Sequence, residues 1–364
     1  MRYLFYLVHP AKFQFHKAQI KALREHGHIV DIIINSKDIL EELLKEENWE
    51  YTNLFPESRK IKGVHVYIAG FISIFRTLSR LFKYTKGTKY DLFVGDLLTV
   101  LGRLKGVPSL IHTDDVIRQV PEQSIFLLTC NHILSPEITE LGWFNKKKIH
   151  YDGYKALLYL HPNIFSPSIE KIDEKYRNYR MFMIRCTGFG ATHDIGRRGI
   201  DNAVLEMIIE LLRDKGEILI SSERELPEHL EKYQYKGKKN DIFHYMAFAD
   251  IFISDSVTMC TEAALLGTPV VEYDDYWLEM EQMLELQYKY KIINLYQPPN
   301  FKPMLQKIEE IISSPNFKVD VIKKKNILIQ EKIDVNMFFI WFMENYPESY
   351  FEFKKLPFVQ YQFK

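Results

Sequence analysis

Ala249-Asp250-Ile251-Phe252-Ile253-Ser254-Asp255-Ser256-Val257-Thr258-Met259-Cys260-Thr261-Glu262-Ala263-Ala264-Leu265-Leu266-Gly267-Thr268-Pro269-Val270-Val271 decides how this chain reads. An unbroken apolar run gives way to small polar residues, then to a helical stretch, a glycine and a second apolar run. Continuous apolar strands, without alternation, belong to parallel sheets covered on both faces. Gly267 stops the helix and Pro269 opens the next strand. Ser256 and Thr258 stand where the helix begins. Free backbone N–H groups and the helix dipole there favour an anionic ligand, commonly a phosphate. Glu262, four residues past Thr258, shares that face, and a carboxylate so placed can accept both hydroxyls of a ribose. A plain structural use is equally consistent with the spacing, with Ser256 as an N-cap and Glu262 as a solvated helix residue.

The same alternation runs outward from this stretch. Residues 3–8 form a continuous apolar run, residues 16–26 a helix ended by Gly27, and residues 28–34 a second strand. Further strands are expected at 91–94, 108–111, 124–128 and 147–150, with helices at 96–104 and 154–160. Residues 160–178 hold Pro162 and Pro167 with little periodicity and read as a boundary. Beyond it come a strand at 181–185, a loop to 198, a helix at 200–215, a strand at 217–220 and a helix at 241–249. Helices then dominate, at 302–313, 319–331 and 334–345. A length of 364 residues suits about two domains. The expected division is 1–160, a linker at 161–178, 179–330, and a helical segment at 331–364 that crosses back to the first domain. Ligands of such sheets bind outside the carboxyl ends of the strands, so the loops there carry the chemistry.

Composition removes several classes of function. Lys plus Arg and Asp plus Glu are 48 each, so the net charge is zero and nucleic acid is not an expected partner. Cys130, Cys186 and Cys260 stand far apart without CxxC spacing, which argues against a disulfide framework and a zinc site. No metal-ligand cluster is apparent, and no metal or other cofactor is expected. The opening apolar run is too short for a signal peptide, and no window is apolar enough to span a bilayer. The chain reads as cytoplasmic.

Other loops at strand ends hold candidate residues. The loop from 186 to 199 combines Gly188, Gly190, Gly196 and Gly199 with His193, Arg197 and Arg198. Glycines let backbone approach a ligand, and guanidinium groups suit bidentate phosphate contact. A mobile surface loop with incidental charges is the alternative. Ser222 and Glu223 follow a strand, where a turn role serves as well. Asp96, Asp114 and Asp115 follow two successive strands, so their carboxylates converge; each can also cap a helix. From residue 58 to 90 the chain carries Arg59, Lys60, Lys62, Arg76, Arg80, Lys83, Lys86 and Lys89 against no acid, interleaved with Ile72, Phe75, Leu78 and Phe82. This is an ordinary helix with a solvated basic face, or an amphipathic helix that touches an anionic inner membrane face from Arg59 to Lys89.

The quoted stretch resembles the sugar-nucleotide signature of GT-B enzymes and specifically of UDP-N-acetylglucosamine 2-epimerase and its relatives. Asp255, Ser256, Glu262 and Gly267-x-Pro269 are kept, while Val257 and Thr258 replace two glycines. A closer resemblance is to the domain-of-unknown-function 354 family, itself GT-B-like. It rests on Ala191-Thr192-His193-Asp194-Ile195-Gly196-Arg197-Arg198-Gly199, on residues 220–227, and on the Ser256 to Pro269 pattern. Residues 1–30 and Tyr151-Asp152-Gly153-Tyr154-Lys155 extend it over nearly the whole chain.

The resemblance implies a GT-B fold, with two Rossmann-like domains whose parallel sheets face a central cleft. It places the acceptor in the first domain and the nucleotide sugar in the second. The implied activity is glycosyl transfer from a nucleotide-activated, UDP-linked donor to a glycan or lipid-linked acceptor in surface polysaccharide synthesis. Ser256, Thr258 and Glu262 would hold the nucleotide, Arg197 or Arg198 the diphosphate, and Phe243 would border the uracil. His9, at the end of the first strand, would be the general base, or else Asp96, Asp114 or Asp115. A nucleotide-sugar 2-epimerase and a non-catalytic nucleotide-sugar-binding protein remain as alternatives, the second because of the missing glycines.

Overall fold

Five successive residues, Tyr3 to Leu7, are almost wholly buried, because the strand they form lies inside a sheet covered on both faces. The structure is a computed structural model that describes residues 1–35, 39–56, 66–118, 120–188, 198–238 and 241–364. It divides into two units, Met1–Tyr159 with Ile333–Lys364, and Leu160–Lys332.

In the first unit the strands are β1 (Arg2–Leu7), β2 (Ile29–Ile34), β3 (Thr52–Asn53), β4 (Leu92–Val94), β5 (Ser109–His112), β6 (His132–Pro136) and β7 (Lys148–Tyr151). They pair in parallel in the order β3-β2-β1-β4-β5-β6-β7. The connecting helices are α1 (Pro10–Glu25), α2 (Leu40–Glu46), α3 (Val66–Tyr84), α4 (Asp96–Lys105), α5 (Ser124–Thr129) and α6 (Leu157–Leu160). The strand order reverses between β1 and β4, and such a switch point opens a crevice at the carboxyl ends of the two strands. Gly95 sits there with φ +123°, and a Cβ on it would lie 2.8 Å from the Tyr6 carbonyl oxygen. Gly95→Ala is therefore expected to destabilise the protein by about 1–3 kcal/mol from backbone strain alone. Chemical denaturation reads this, and an unchanged midpoint would show that the turn relaxes freely.

The second unit contains α7 (Glu174–Arg177), β8 (Met181–Cys186), α8 (Asn202–Leu212), β9 (Glu217–Ser222), α9 (Ile242–Phe248), β10 (Ile251–Ser254), α10 (Val257–Leu266), β11 (Val270–Tyr273), α11 (Glu281–Leu284), β12 (Ile293–Tyr296), α12 (Phe301–Ser313) and α13 (Phe317–Glu331). Its parallel sheet runs β12-β11-β10-β8-β9, with a switch point between β8 and β10. One face packs Ile184, Ile220, Ile253 and Val271 under α8 and α12. α10 is buried nearly all round, which accounts for its apolar sequence on every side. Gly267 takes φ +87° as its C-cap and gives the chain its turn into β11.

The chain ends with α14 (Val335–Glu344) and α15 (Glu348–Lys355), counted with the first unit. Asn336 accepts from Gln19 Nε2 (3.3 Å) and donates to the Leu158 carbonyl (2.6 Å), which ties α14 to α1 and α6.

Parallel sheets in two α/β units are the architecture that the quoted stretch predicts. Residues 124–128 are a correction: they form α5 rather than a strand, with Leu127 as the one fully inward side chain. A short apolar run has no decisive period. The strand of that region is β6, hidden in sequence because His132, Ser135 and Pro136 interrupt its apolar character although all its residues are buried. Residues 161–178 lie within the second unit, where the Ser168 N–H donates to His244 Nδ1 (3.0 Å) and the Asp173 N–H to the Tyr245 hydroxyl (2.9 Å).

Candidate functional site

In the first unit the loops after β1, β4 and β5 bring charged groups together. His9 caps α1, its Nδ1 accepting from the Ala11 N–H at 3.1 Å. A neutral imidazole held this way carries its proton on Nε2, and Nδ1 is engaged by the cap rather than open as a base. Lys12, on the first turn of α1, lies 3.6 Å from Asp96 Oδ1 and donates to the His112 carbonyl at 3.4 Å. One ammonium group thus links the ends of β4 and β5. Asp96 is the first residue of α4 and complements its dipole.

Asp114 is paired with Lys155 at 2.7 Å and is only 10% exposed. Burial raises its pKa above the usual aspartate range; the Lys155 ammonium opposes the shift and the Asp115 carboxylate adds to it. Asp115 accepts from Gln123 Nε2 at 2.7 Å, and its own N–H donates to Thr113 Oγ1 at 3.2 Å. Behind these carboxylates His112 bonds to the Tyr151 hydroxyl through Nε2 at 2.9 Å, while its buried Nδ1 has no partner among the described residues. Burial holds the His112 imidazole well below its usual pKa, with Lys12, His16 and Lys155 adding to the shift. Burial also takes His16 down to about 4, so both rings are neutral at physiological pH.

In the second unit the switch point is closed by Asp255. Its Oδ1 accepts from the Thr187 N–H at 2.8 Å and its Oδ2 from the Ile200 N–H at 3.1 Å. One carboxylate therefore fastens both ends of the loop between β8 and α8 to the end of β10. Burial raises its pKa to about 6, against the pull of those two N–H groups. Ser256 is the N-cap of α10, accepting from the Met259 N–H at 3.5 Å. Thr258 is exposed on the first turn and Glu262, one turn on, is buried. The register sets Glu272, Ser254, Arg185 and Ser221 in one row across the sheet. From that row Arg185 donates to Ser221 Oγ at 2.8 Å and pairs with Glu223, which also accepts from the Gly188 N–H at 3.2 Å. Ser222 stays within its own turn, donating to the Arg224 carbonyl at 2.7 Å.

Arg198 is exposed, and its N–H donates to Asp275 Oδ1 at 3.3 Å. It lines a hollow of about 450 Å³ with Ile200, Asp201, Arg224, Tyr273 and Phe301, at the starts of α8 and α12. Phe243 is half-buried and packs edge-on against Phe165, 6.1 Å between centroids. His193 and Arg197 lie outside the described residues. The structure thus gathers Asp96, Asp114 and Asp115 with Lys12 and Lys155 in one unit, and Ser256, Thr258 and Glu262 at one helix start in the other. Lys12 and His112 escaped the sequence reading, and Tyr151 and Lys155 entered it only as motif residues without a role, because their partners are distant in the chain. Among the described residues no group of His, Cys, Asp and Glu is arranged to hold a metal ion.

No curated protein matches the chain in sequence. Solved structures match its fold along almost its whole length. UDP-GlcNAc 2-epimerase from Neisseria meningitidis, bound to UDP-GlcNAc, aligns with a TM-score of 0.64 at 12% identity, over 91% of this chain and 99% of that one. The glycotransferase of kitacinnamycin gives 0.60 at 12% identity, over 94% and 98%. MurG of Acinetobacter baumannii gives 0.54 at 13% identity, over 90% and 95%. At these identities the likeness establishes the fold, which is GT-B. Residues 158–337, just under half of the chain, match the family model described as Protein of unknown function (DUF354), so this part of the GT-B chain is similar to that family.

Proposed function

We propose that the chain is a glycosyltransferase that takes a sugar from a UDP-linked donor and passes it to a hydroxyl of a glycan or lipid-linked acceptor in surface polysaccharide synthesis. The observation that carries this reading is the start of α10, which stands beside the second unit's switch point with Ser256 as cap, Thr258 exposed and Glu262 one turn inward. Its N–H groups and dipole suit a diphosphate, Arg198 supplies a guanidinium, and Glu262 accepts the ribose hydroxyls. With those charges the leaving diphosphate is stabilised without a resident metal. In the transfer the acceptor oxygen forms the bond to the sugar's anomeric carbon, the bond to the diphosphate breaks, and the acceptor proton passes to a carboxylate. Asp114 suits that step, because burial moves its pKa toward neutrality.

Glu262→Ala is expected to weaken UDP binding by about 1–3 kcal/mol, the range for a hydrogen bond to a charged group. Calorimetry on the folded variant reads this, and unchanged affinity would remove the ribose assignment.

One observation favours a second reading, nucleotide-sugar 2-epimerisation: three carboxylates, Asp96, Asp114 and Asp115, stand at two successive strand ends, as removal and return of a carbon-bound proton would use. Incubation with a panel of nucleotide sugars separates the two. Transfer predicts inertness until an acceptor is added. Epimerised sugar, or free sugar with UDP in the absence of acceptor, points to the second reading.

A further inference from the structure

α3 presents apolar side chains on both of its faces. Thr77 and Leu81 are fully buried, and Ile74 and Leu78 pack on the first unit's core. On the opposite side Ile68, Phe71, Ile72, Phe75 and Phe82 form a line at helical spacing that faces solvent, with Phe71 73% and Phe75 70% exposed. A helix whose only task is to cover a sheet turns polar residues outward. Exposed Ser79 interrupts this line, and the charged residues beside it are all basic. Lys83, Lys86 and Lys89 are exposed, as are Arg103 and Lys105 at the end of the adjacent α4, and Lys105 lies 5.9 Å over the Phe82 ring. Between Val66 and Pro108 the acidic residues are Asp91 and Asp96. Asp91 accepts from the backbone N–H of Arg2, and Asp96 faces Lys12. Arg59, Lys60 and Lys62 lie outside the described residues.

We propose that the outward face of α3 is a docking surface for an anionic lipid bilayer. Phe71, Phe75 and Ile68 enter the boundary between headgroups and acyl chains, and the lysines lie among the lipid phosphates. The helix lies along the surface rather than crossing it; among the described residues no helix is long and apolar enough to span a membrane. Charge decides against a second copy of the chain as the occupant. Pairing this face with itself would bring the two lysine rims together, where like charges repel.

The full chain is tested by flotation with vesicles of phosphatidylcholine alone and of phosphatidylcholine with phosphatidylserine. Binding is expected to the anionic vesicles at low salt, fading as added salt shortens the screening length. Lys83→Ala and Lys86→Ala should each lower partitioning about fivefold, and Phe71→Ser with Phe75→Ser should abolish it. These side chains are exposed, so the melting curve should not move, which separates lost docking from lost fold. Failure to bind anionic vesicles at low ionic strength overturns the proposal. Equal binding to neutral vesicles overturns it too, as does a dimer of the wild type that Phe71→Ser with Phe75→Ser converts to monomer.

Discussion

Asp114→Asn is expected to lower kcat by roughly 10²- to 10⁴-fold while leaving UDP affinity unchanged, the signature of a lost proton acceptor. The substitution keeps the shape and removes the charge. Asp114 follows β5, is 10% exposed and is held by Lys155 at 2.7 Å, so its geometry is fixed before any acceptor arrives. The base must be ionised to act. Because burial raises the Asp114 pKa, the acidic limb of the kcat/KM profile should lie above the range of an ordinary aspartate. His9→Ala gives the contrast. It removes the cap on the Ala11 N–H, at a cost of about 0.5–2 kcal/mol in stability, and should leave turnover nearly intact, since Nε2 carries the ring's proton. A large loss of turnover in His9→Ala with a normal Asp114→Asn would exchange the two assignments. A melt of each variant controls for folding, because Asp114→Asn leaves the Lys155 ammonium without its partner.

Glu272→Gln is expected to stabilise the protein at neutral pH. Glu272 is fully buried on β11 beside Asp274 and the Cys260 thiol, and neither of its carboxyl oxygens, nor Oδ2 of buried Asp274, accepts a close, well-aligned hydrogen bond among the described residues. Burial, reinforced by the Asp274 charge, raises the Glu272 pKa well above the glutamate range. The folded protein therefore holds a proton that the unfolded chain releases. With fewer protons bound in the unfolded state, stability falls as pH rises from the unfolded glutamate pKa toward the raised folded value. The slope is about 1.4 kcal/mol per pH unit. A neutral amide has no such slope, and its N–H can donate to Asp274. Denaturation midpoints of the two proteins should coincide near pH 4 and diverge in favour of Glu272→Gln as pH rises through the window between the unfolded and the raised folded pKa. Parallel pH curves would show that Glu272 is ionised in the fold.

What the sequence made legible follows from where its physical signals are local. The run from β10 to β11 was readable because two unbroken apolar strands, a small polar turn and Gly267 lie in one short stretch. β6 was not, since His132, Ser135 and Pro136 owe their burial to tertiary packing; His132 stacks on Tyr350 at 4.1 Å, a residue near the other end of the chain. The candidate carboxylates were visible as residues after strands, but not the ammonium groups that face them. Lys12 and Lys155 meet Asp96 and Asp114 only through the strand order. Asp255 was read as part of a motif, whereas its fastening of Thr187 and Ile200 to β10 appears only in three dimensions. The basic run before β4 was legible as charge; that the outward face of α3 is apolar depends on which side the sheet covers.

The start of α10 is the proposed uridine-nucleotide site of the second unit. Isothermal titration of UDP into the full chain tests it most directly. Saturable binding at one site is expected, weakened by Glu262→Ala and unaffected by Asp114→Asn. A folded wild-type protein that shows no saturable binding of UDP or UDP-sugars would contradict it.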